Sequence, residues 1–150
     1  MAMALDRPGP FRRTTMIDNK TAPWGILALR VTTGGLFLVH GLTKLFVFTP
    51  AGTAGYFESI GLPGALGWLT MLLEIAGGLA LILGIKARLV SLAFVPVLLG
   101  AAIFAHGSAG FNWSNPNGGW EYPVMWAIVQ AAIAILGDGA YAMVPTQKRA

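Results

Sequence analysis

Cysteine is absent from this 150-residue chain. That excludes a thiolate nucleophile, thiol–disulfide relay chemistry, cysteine-ligated iron–sulfur clusters and c-type haem attachment. Histidine is scarce, with only His40 and His106. A metal site would need both of them, or carboxylates. Charge is scarce too: 11% of residues are Asp, Glu, Lys or Arg, against about 25% in a soluble domain. No basic patch is interleaved with exposed aromatics in a polar segment, so nucleic acid is not expected as a partner.

What fills the chain is apolar. Hydrophobic residues make up 55% of it, and the mean hydropathy is +0.67. The 20 glycines and nine prolines fit a membrane protein, because both are commoner in membrane helices than in soluble ones. Four apolar stretches are read as spans: about Pro23–Leu42, Leu66–Ile85, Leu89–Ala105 and Tyr122–Leu136. The expected fold is all-α, an integral membrane four-helix bundle. Residues 1–22 form a basic tail expected to be disordered, 23–141 the membrane domain, and 142–150 a short second tail.

Local signals refine this. Pro23 suits a first helical turn, where its missing N–H costs nothing. A cleaved signal peptide is the competing reading of the first stretch. Its apolar core would be about 7–15 residues long and followed by a small-residue cleavage site. This stretch is longer and lacks a clean site. The connector from Lys44 to Pro63 carries Tyr56, Phe57 and Ile60 at helical spacing, which suggests a short interfacial helix. Pro96 should kink the third span and free the carbonyl of Leu92.

Orientation follows from the basic residues. The N-terminal tail has Arg7, Arg12, Arg13 and Lys20, the connector between spans two and three has Lys86 and Arg88, and the C-terminal tail has Lys148 and Arg149. The first connector has only Lys44, and the loop from His106 to Glu121 has none. The positive-inside rule puts both termini in the cytoplasm. Trp68, Trp113, Trp120 and Tyr122 then fall at the outer interface, where aromatic belts form.

Two ionisable groups lie well inside spans: Arg30 in the first and Glu74 in the second. A charge in hydrocarbon costs about 2.5–3.5 kcal/mol on insertion scales, so it is seldom left unpaired. At 1.5 Å per residue, Arg30 sits about 10 Å above the inner end of its span and Glu74 about 12 Å below the outer end of its own. In a core of about 30 Å an Arg side chain covers the gap. The two are expected to form a structural ion pair. The pair either fixes helix register or also tunes a substrate or proton site. Gly34 and Gly41 on the Arg30 face would admit a neighbouring helix closely.

A second constellation belongs to the outer quarter of the membrane: His40, Lys44, His106 and Glu121, with Trp113, Trp120 and Tyr122 nearby. His and Lys can donate hydrogen bonds to a quinone carbonyl, and His and Glu can move protons near neutral pH. Aromatics can stack on a planar head group. His40, His106 and Glu121 are thus candidate catalytic residues, with Lys44, Trp120 and Tyr122 as cofactor contacts. The plainer alternative is that His and Lys at helix ends reach water or lipid head groups. No spacing among these residues is a metal motif, and neither metal nor haem is expected. Gln130 reads as an interhelical hydrogen bond, and Asp138 as a helix terminator.

These residues also carry a resemblance. His40-Gly41-Leu42-Thr43-Lys44-Leu45 after an Arg-bearing span, Gly61-Leu62-Pro63, and Glu74-Ile75-Ala76-Gly77-Gly78-Leu79-Ala80-Leu81-Ile82-Leu83-Gly84 with Arg88 following resemble signatures of the DoxX family. His106, Gly110-Phe111, Gly118-Gly119-Trp120-Glu121-Tyr122-Pro123 and Gly137-Asp138-Gly139 resemble its later ones. The likeness runs from about Trp24 to Tyr141. It departs at Asp138, where the family usually has a small residue or Pro, and at Ala140, where a basic residue is frequent. The resemblance implies a four-helix membrane protein of bacteria or archaea, in the cytoplasmic membrane. It also implies a quinone-linked oxidoreductase subunit, with thiosulfate among the donors known in the family. The lipid bilayer, a redox partner protein and further copies of the chain are the partners it implies. With no nucleotide motif and no cluster ligands, electrons would come from a partner or a bound quinol. The second reading is a non-catalytic anchor or scaffold for a partner redox enzyme.

Overall fold

A computed structural model describes residues 17–147. Arg7, Arg12, Arg13, Lys148 and Arg149, and most of the tail expected to be disordered, lie outside the described residues. Five α-helices follow in order: α1 Ala22–Phe46, α2 Pro50–Ser59, α3 Gly64–Leu83, α4 Ala87–Gly100 and α5 Glu121–Leu136. Among the described residues there is no strand, only a single bridge between Ile85 and Val144. Three helical segments are long and apolar enough to cross a membrane: Ala22–Phe46, Gly64–Leu83 and Ala87–Ala105. The α5 helix is apolar but has 16 residues.

Each boundary has a local cause. Pro23 stands in the first turn of α1. The Thr49 side chain accepts a hydrogen bond from Gly52 N at 3.2 Å and caps α2, the short helix expected in the first connector. The α3 helix ends at Gly84 in the left-handed region, φ 69°. Ile85 N reaches back to Ala80 O at 2.8 Å and Gly84 N to Leu81 O at 3.2 Å, the Schellman pattern that glycine permits. The α4 helix runs through Pro96 and continues as a π turn over Ala101–Ala105. His106 N closes that turn on Ala101 O, five residues back, at 3.1 Å. Such turns take an extra residue and are frequent at functional sites.

The tightest contact is between α1 and α3, and glycine makes it. A Cβ on Gly34 would lie 2.7 Å from Gly78 O, and one on Gly78 2.7 Å from Gly34 O. Gly41 meets Ile75 in the same way. The α4 helix packs on α3 and α5, and α5 closes back on α1, so the four long helices form a ring. Phe37, Leu81, Phe94, Leu98 and Ala127 fill its interior. Outward stand exposed apolar side chains such as Leu72, Ile103, Ile128 and Ile135, as lipid contact requires.

The expected Arg30–Glu74 ion pair does not form. Arg30 is fully buried, and its Nη1 donates to Leu81 O and Ile82 O, both at 2.8 Å, while Nη2 donates to Ala140 O at 2.7 Å. The register explains the difference. Gly34 facing Gly78 puts Arg30 beside the carbonyl end of α3, where the helix dipole favours a cation. Glu74 lies seven residues before Leu81, about 10 Å away along the axis. The first span was also drawn too short: α1 includes Lys44 in its last turn, and that lysine is the cation Glu74 meets.

The segment after α5 closes the same end of the ring. Ala140 N donates to Pro23 O at 2.9 Å, Val144 N to Gly84 O at 3.2 Å, and Lys86 N to Val144 O at 2.7 Å. Asp138 does more than follow a helix end. Its Oδ1 accepts from Arg88 N at 3.2 Å, in the first turn of α4, and its carboxylate also accepts from Thr146 N and Oγ1.

Candidate functional site

At the end of the ring away from the termini lies a cavity of about 770 Å³. Within the usual 300–1,000 Å³ of small-molecule sites, it has room for one ring system and part of a chain. Its walls are mostly apolar, from Phe37, Leu69, Leu73, Val97, Phe104 and Trp126 among others. Beside Thr53, Tyr56 and Thr70, five polar side chains reach it: His40, Lys44, Glu74, His106 and Tyr122. They form two stations on different helices.

The first station belongs to α1 and α3. Lys44 Nζ lies 2.9 Å from Glu74 Oε1 and 2.8 Å from Oε2. An ammonium has three donors, and two are spent on this carboxylate. The side chains are only 19% and 9% exposed, so each charge depends on the other for compensation. His40 stands one turn before Lys44, its ring 5.5 Å from that of Trp126. Gly41 between them allows α1 to lie against Ile75 and Glu74, which brings Lys44 within reach.

The second station is built by the loop between α4 and α5. His106 Nδ1 lies 3.0 Å from Asn117 O and 3.1 Å from Gly118 O. Carbonyls only accept, so their presence assigns the proton to Nδ1 and leaves Nε2 as an acceptor. Tyr122 O–H donates to that Nε2 at 2.6 Å. The chain wraps the imidazole by placing Asn117 and Gly118 both at positive φ, 69° and 72°, the region Asn and Gly tolerate best.

Below the cavity, Phe37 stacks on Phe94 with centroids 3.6 Å apart and on Trp126 at 4.3 Å. This aromatic floor is followed by buried polar groups without partners among the described residues: Ser91 Oγ and both amide atoms of Gln130. Gln130 therefore does not make the interhelical hydrogen bond its mid-span position suggested. Trp126 Nε1 and Arg30 Nε are also buried without a partner.

Of the residues singled out in the sequence, His40, Lys44, His106 and Tyr122 share the cavity. Glu121 and Trp120 are not among its walls. Glu121 Oε1 accepts from Trp113 N at 2.7 Å and fastens the loop, and Trp120 packs edge-on against Phe111 at 5.0 Å. Their side chains leave α5 on the loop side, one and two residues before Tyr122. In their place the cavity receives Glu74 and Trp126. The signal for Glu74 was Lys44 four residues after His40, on the same face of a helix that continues past Leu42. Among the described residues no three His, Asp or Glu side chains gather as a metal would need.

The family model named DoxX matches residues 25–107, more than half of the chain and inclusive of His40, Lys44, Glu74 and His106. The chain belongs to the DoxX family. A relative from Bacillus subtilis (strain 168) named "Putative oxidoreductase CatD" is 33% identical over 127 residues, covering 85% of this chain and 90% of that protein. "Inner membrane protein YqjF" of Escherichia coli (strain K12) is 38% identical over 68 residues, 45% of this chain and 51% of that protein. No solved structure matches the chain. It is thus a DoxX-family membrane protein, and the matched family segment ends before Tyr122 and Trp126.

Proposed function

We propose that this protein is the quinone-binding membrane subunit of an oxidoreductase, with the cavity as its quinone site. The observation that carries the reading is the pairing of two polar stations across an apolar cavity. A quinone is a flat apolar ring with two carbonyl oxygens that accept hydrogen bonds. Lys44 and His40 offer donors on one side. On the other, the Tyr122 O–H is held by His106 Nε2 and becomes a donor to the quinone when Nε2 takes a proton and donates to the Tyr122 oxygen instead. Phe37 and Trp126 provide an aromatic floor for the ring. When bound, such a group supplies two-electron, two-proton redox chemistry.

The chain's own residues hold protons for that chemistry. His40 can carry one on a ring nitrogen, and His106 can carry one on Nε2, next to the Tyr122 oxygen. The Lys44–Glu74 pair keeps a cation at the cavity wall, which favours negative charge developing beside it. Electrons would be exchanged with a redox partner protein, which the relative named an oxidoreductase supports by analogy.

The same reading places four helices across the cytoplasmic membrane of a bacterium or archaeon, with both termini inside and the cavity toward the outside. The α5 helix spans about 24 Å by itself, and Trp120 and the Gly137–Ala140 turn extend it. Labelling of Ser114→Cys from outside, with protection of Lys20→Cys, checks this in a chain without native cysteine.

The functional test is quinone retention. Protein purified from native membranes should carry quinone, and His40→Ala should lose it while remaining folded. If neither ubiquinone nor menaquinone binds the wild-type protein, alone or with its native partner, the reading fails and a non-catalytic scaffold takes its place.

A further inference from the structure

The cavity has one wall unlike the others. The seam between α1 and α3 is sealed by glycine against backbone at Gly34, Gly41 and Gly78. The seam between α1 and α5 is closed by Phe37 and His40 against Trp126. The α4 and α5 helices pack closely along their length. The seam between α3 and α4 closes where Phe94 lies on Gly77, a Cβ there falling 2.7 Å from Phe94 Cζ. Above that contact both helices line the cavity, and α2, packed on α3, lines it as well through Thr53, Tyr56 and Phe57. On α3 the lining stripe is Leu66, Leu69, Thr70 and Leu73, and on α4 it includes Val97, Gly100 and Phe104. Both stripes follow helical spacing; Thr70 is the polar residue of the α3 stripe, and the charged Glu74 that follows Leu73 is bonded to Lys44. Leu66, Leu69 and Phe104 are exposed, and a Cβ on Gly100 would meet nothing within 4 Å.

We infer that the gap between α3 and α4 is a lateral portal to the bilayer, occupied by the isoprenoid tail of the quinone whose head lies at the two stations. The inference rests on the proposed quinone site and adds the direction and chemistry of access. An apolar opening on the lipid-facing side of a membrane protein admits a hydrocarbon chain without desolvating charge. The stripes are continuous with the walls that surround the head, so a tail leaving the ring follows a path that is apolar except for Thr70. Gly100 fits this role: it leaves open space at the lip where any side chain would stand in the path.

The experiment compares two ligands in two variants. Gly100→Trp narrows the portal, and Gly35→Trp is the control, because a Cβ at Gly35 also meets nothing within 4 Å and Gly35 does not line the cavity. The ligands are the long-tailed quinone that the wild type retains and its tail-less head group, menadione for a naphthoquinone or dimethoxymethylbenzoquinone for a benzoquinone. Gly100→Trp should weaken the long-tailed quinone by about tenfold or more, since several buried methylene equivalents are lost. It should leave the head group within about twofold, and Gly35→Trp should change neither. Leu66→Trp on the α3 lip should repeat the pattern, which keeps the test open should Gly100→Trp fail to fold. Equal effects on both ligands, or none on either, overturn the portal and leave the quinone site standing. Loss of co-purifying phospholipid with unchanged binding of the long-tailed quinone assigns the gap to an acyl chain and also overturns it. Failure of wild type to bind either ligand overturns the site itself, and the portal with it.

Discussion

Lys44 and Glu74 form a two-pronged ion pair, 2.9 and 2.8 Å from one nitrogen to the two carboxylate oxygens, between the last turn of α1 and the middle of α3. Removing one partner leaves a charge stranded among apolar walls. Lys44→Met or Glu74→Gln alone should each cost about 3–5 kcal/mol. The double substitution should recover most of that loss. A double-mutant cycle in thermal stability measures the coupling, and simple additivity would show that the two side chains do not depend on one another.

Arg30 makes the opposite case. Its guanidinium is held by three backbone carbonyls from α3 and the C-terminal segment, and no carboxylate takes part. Arg30→Met should be strongly destabilising, by about 3 kcal/mol or more, because a charged fork is lost and carbonyls are left buried. Arg30→Lys should rescue little, since a single nitrogen on a shorter reach cannot stand at both Nη positions, one against Leu81 O and Ile82 O and the other against Ala140 O. The losses from Arg30→Met and Glu74→Gln should add within about 0.5 kcal/mol. Coupling between them would restore the ion pair that the structure replaces.

Gln130 is fully buried, and neither amide atom finds a partner among the described residues. An unpaired buried polar group costs about 1–3 kcal/mol, whereas an apolar group of similar shape costs nothing of that kind. Gln130→Met should therefore leave the melting temperature unchanged or raise it. A clear fall in melting temperature would mean that Gln130 and Ser91 are satisfied by internal water, which an apolar side chain would displace.

These contrasts show which parts of the molecule were legible in the sequence. Apolar length and glycine-rich faces identified the helices, and the short α2 followed from Tyr56, Phe57 and Ile60 at helical spacing. Gly34 as a point of close approach was legible because a missing Cβ has one obvious consequence between membrane helices. The partner of Arg30 was not, because carbonyl acceptors leave no residue type to read. The partner of Glu74 was hidden by ending the first helix at Leu42: Lys44 looked like a connector residue. His40, His106, Glu121 and Trp120 were all assigned to the site by depth and side-chain chemistry, and only the two histidines line the cavity. Depth along a helix does not fix the direction of a side chain, since successive helical residues point about 100° apart, and Glu121 and Trp120 serve the loop while Tyr122 lines the cavity.

Tyr122 offers the cleanest separation of structure from function at the second station. Its hydroxyl donates to His106 Nε2 at 2.6 Å, and its ring meets the imidazole edge-on at 4.9 Å. Tyr122→Phe keeps the ring contact and removes only the O–H. His106→Ala removes the acceptor and also the Nδ1–H that ties down Asn117 and Gly118. The loop should therefore survive the first change and loosen with the second. Proteolysis or hydrogen exchange over residues 107–120 should be near wild type in Tyr122→Phe and faster in His106→Ala. Quinone affinity should fall by about three- to tenfold in Tyr122→Phe, the worth of the one hydrogen bond that the O–H gives the quinone once His106 Nε2 has taken a proton and released it, with no loss of folded yield. Unchanged affinity in Tyr122→Phe would make the His106–Tyr122 pair a loop fastening alone, and would leave His40 and Lys44 as the donors on which the quinone reading rests.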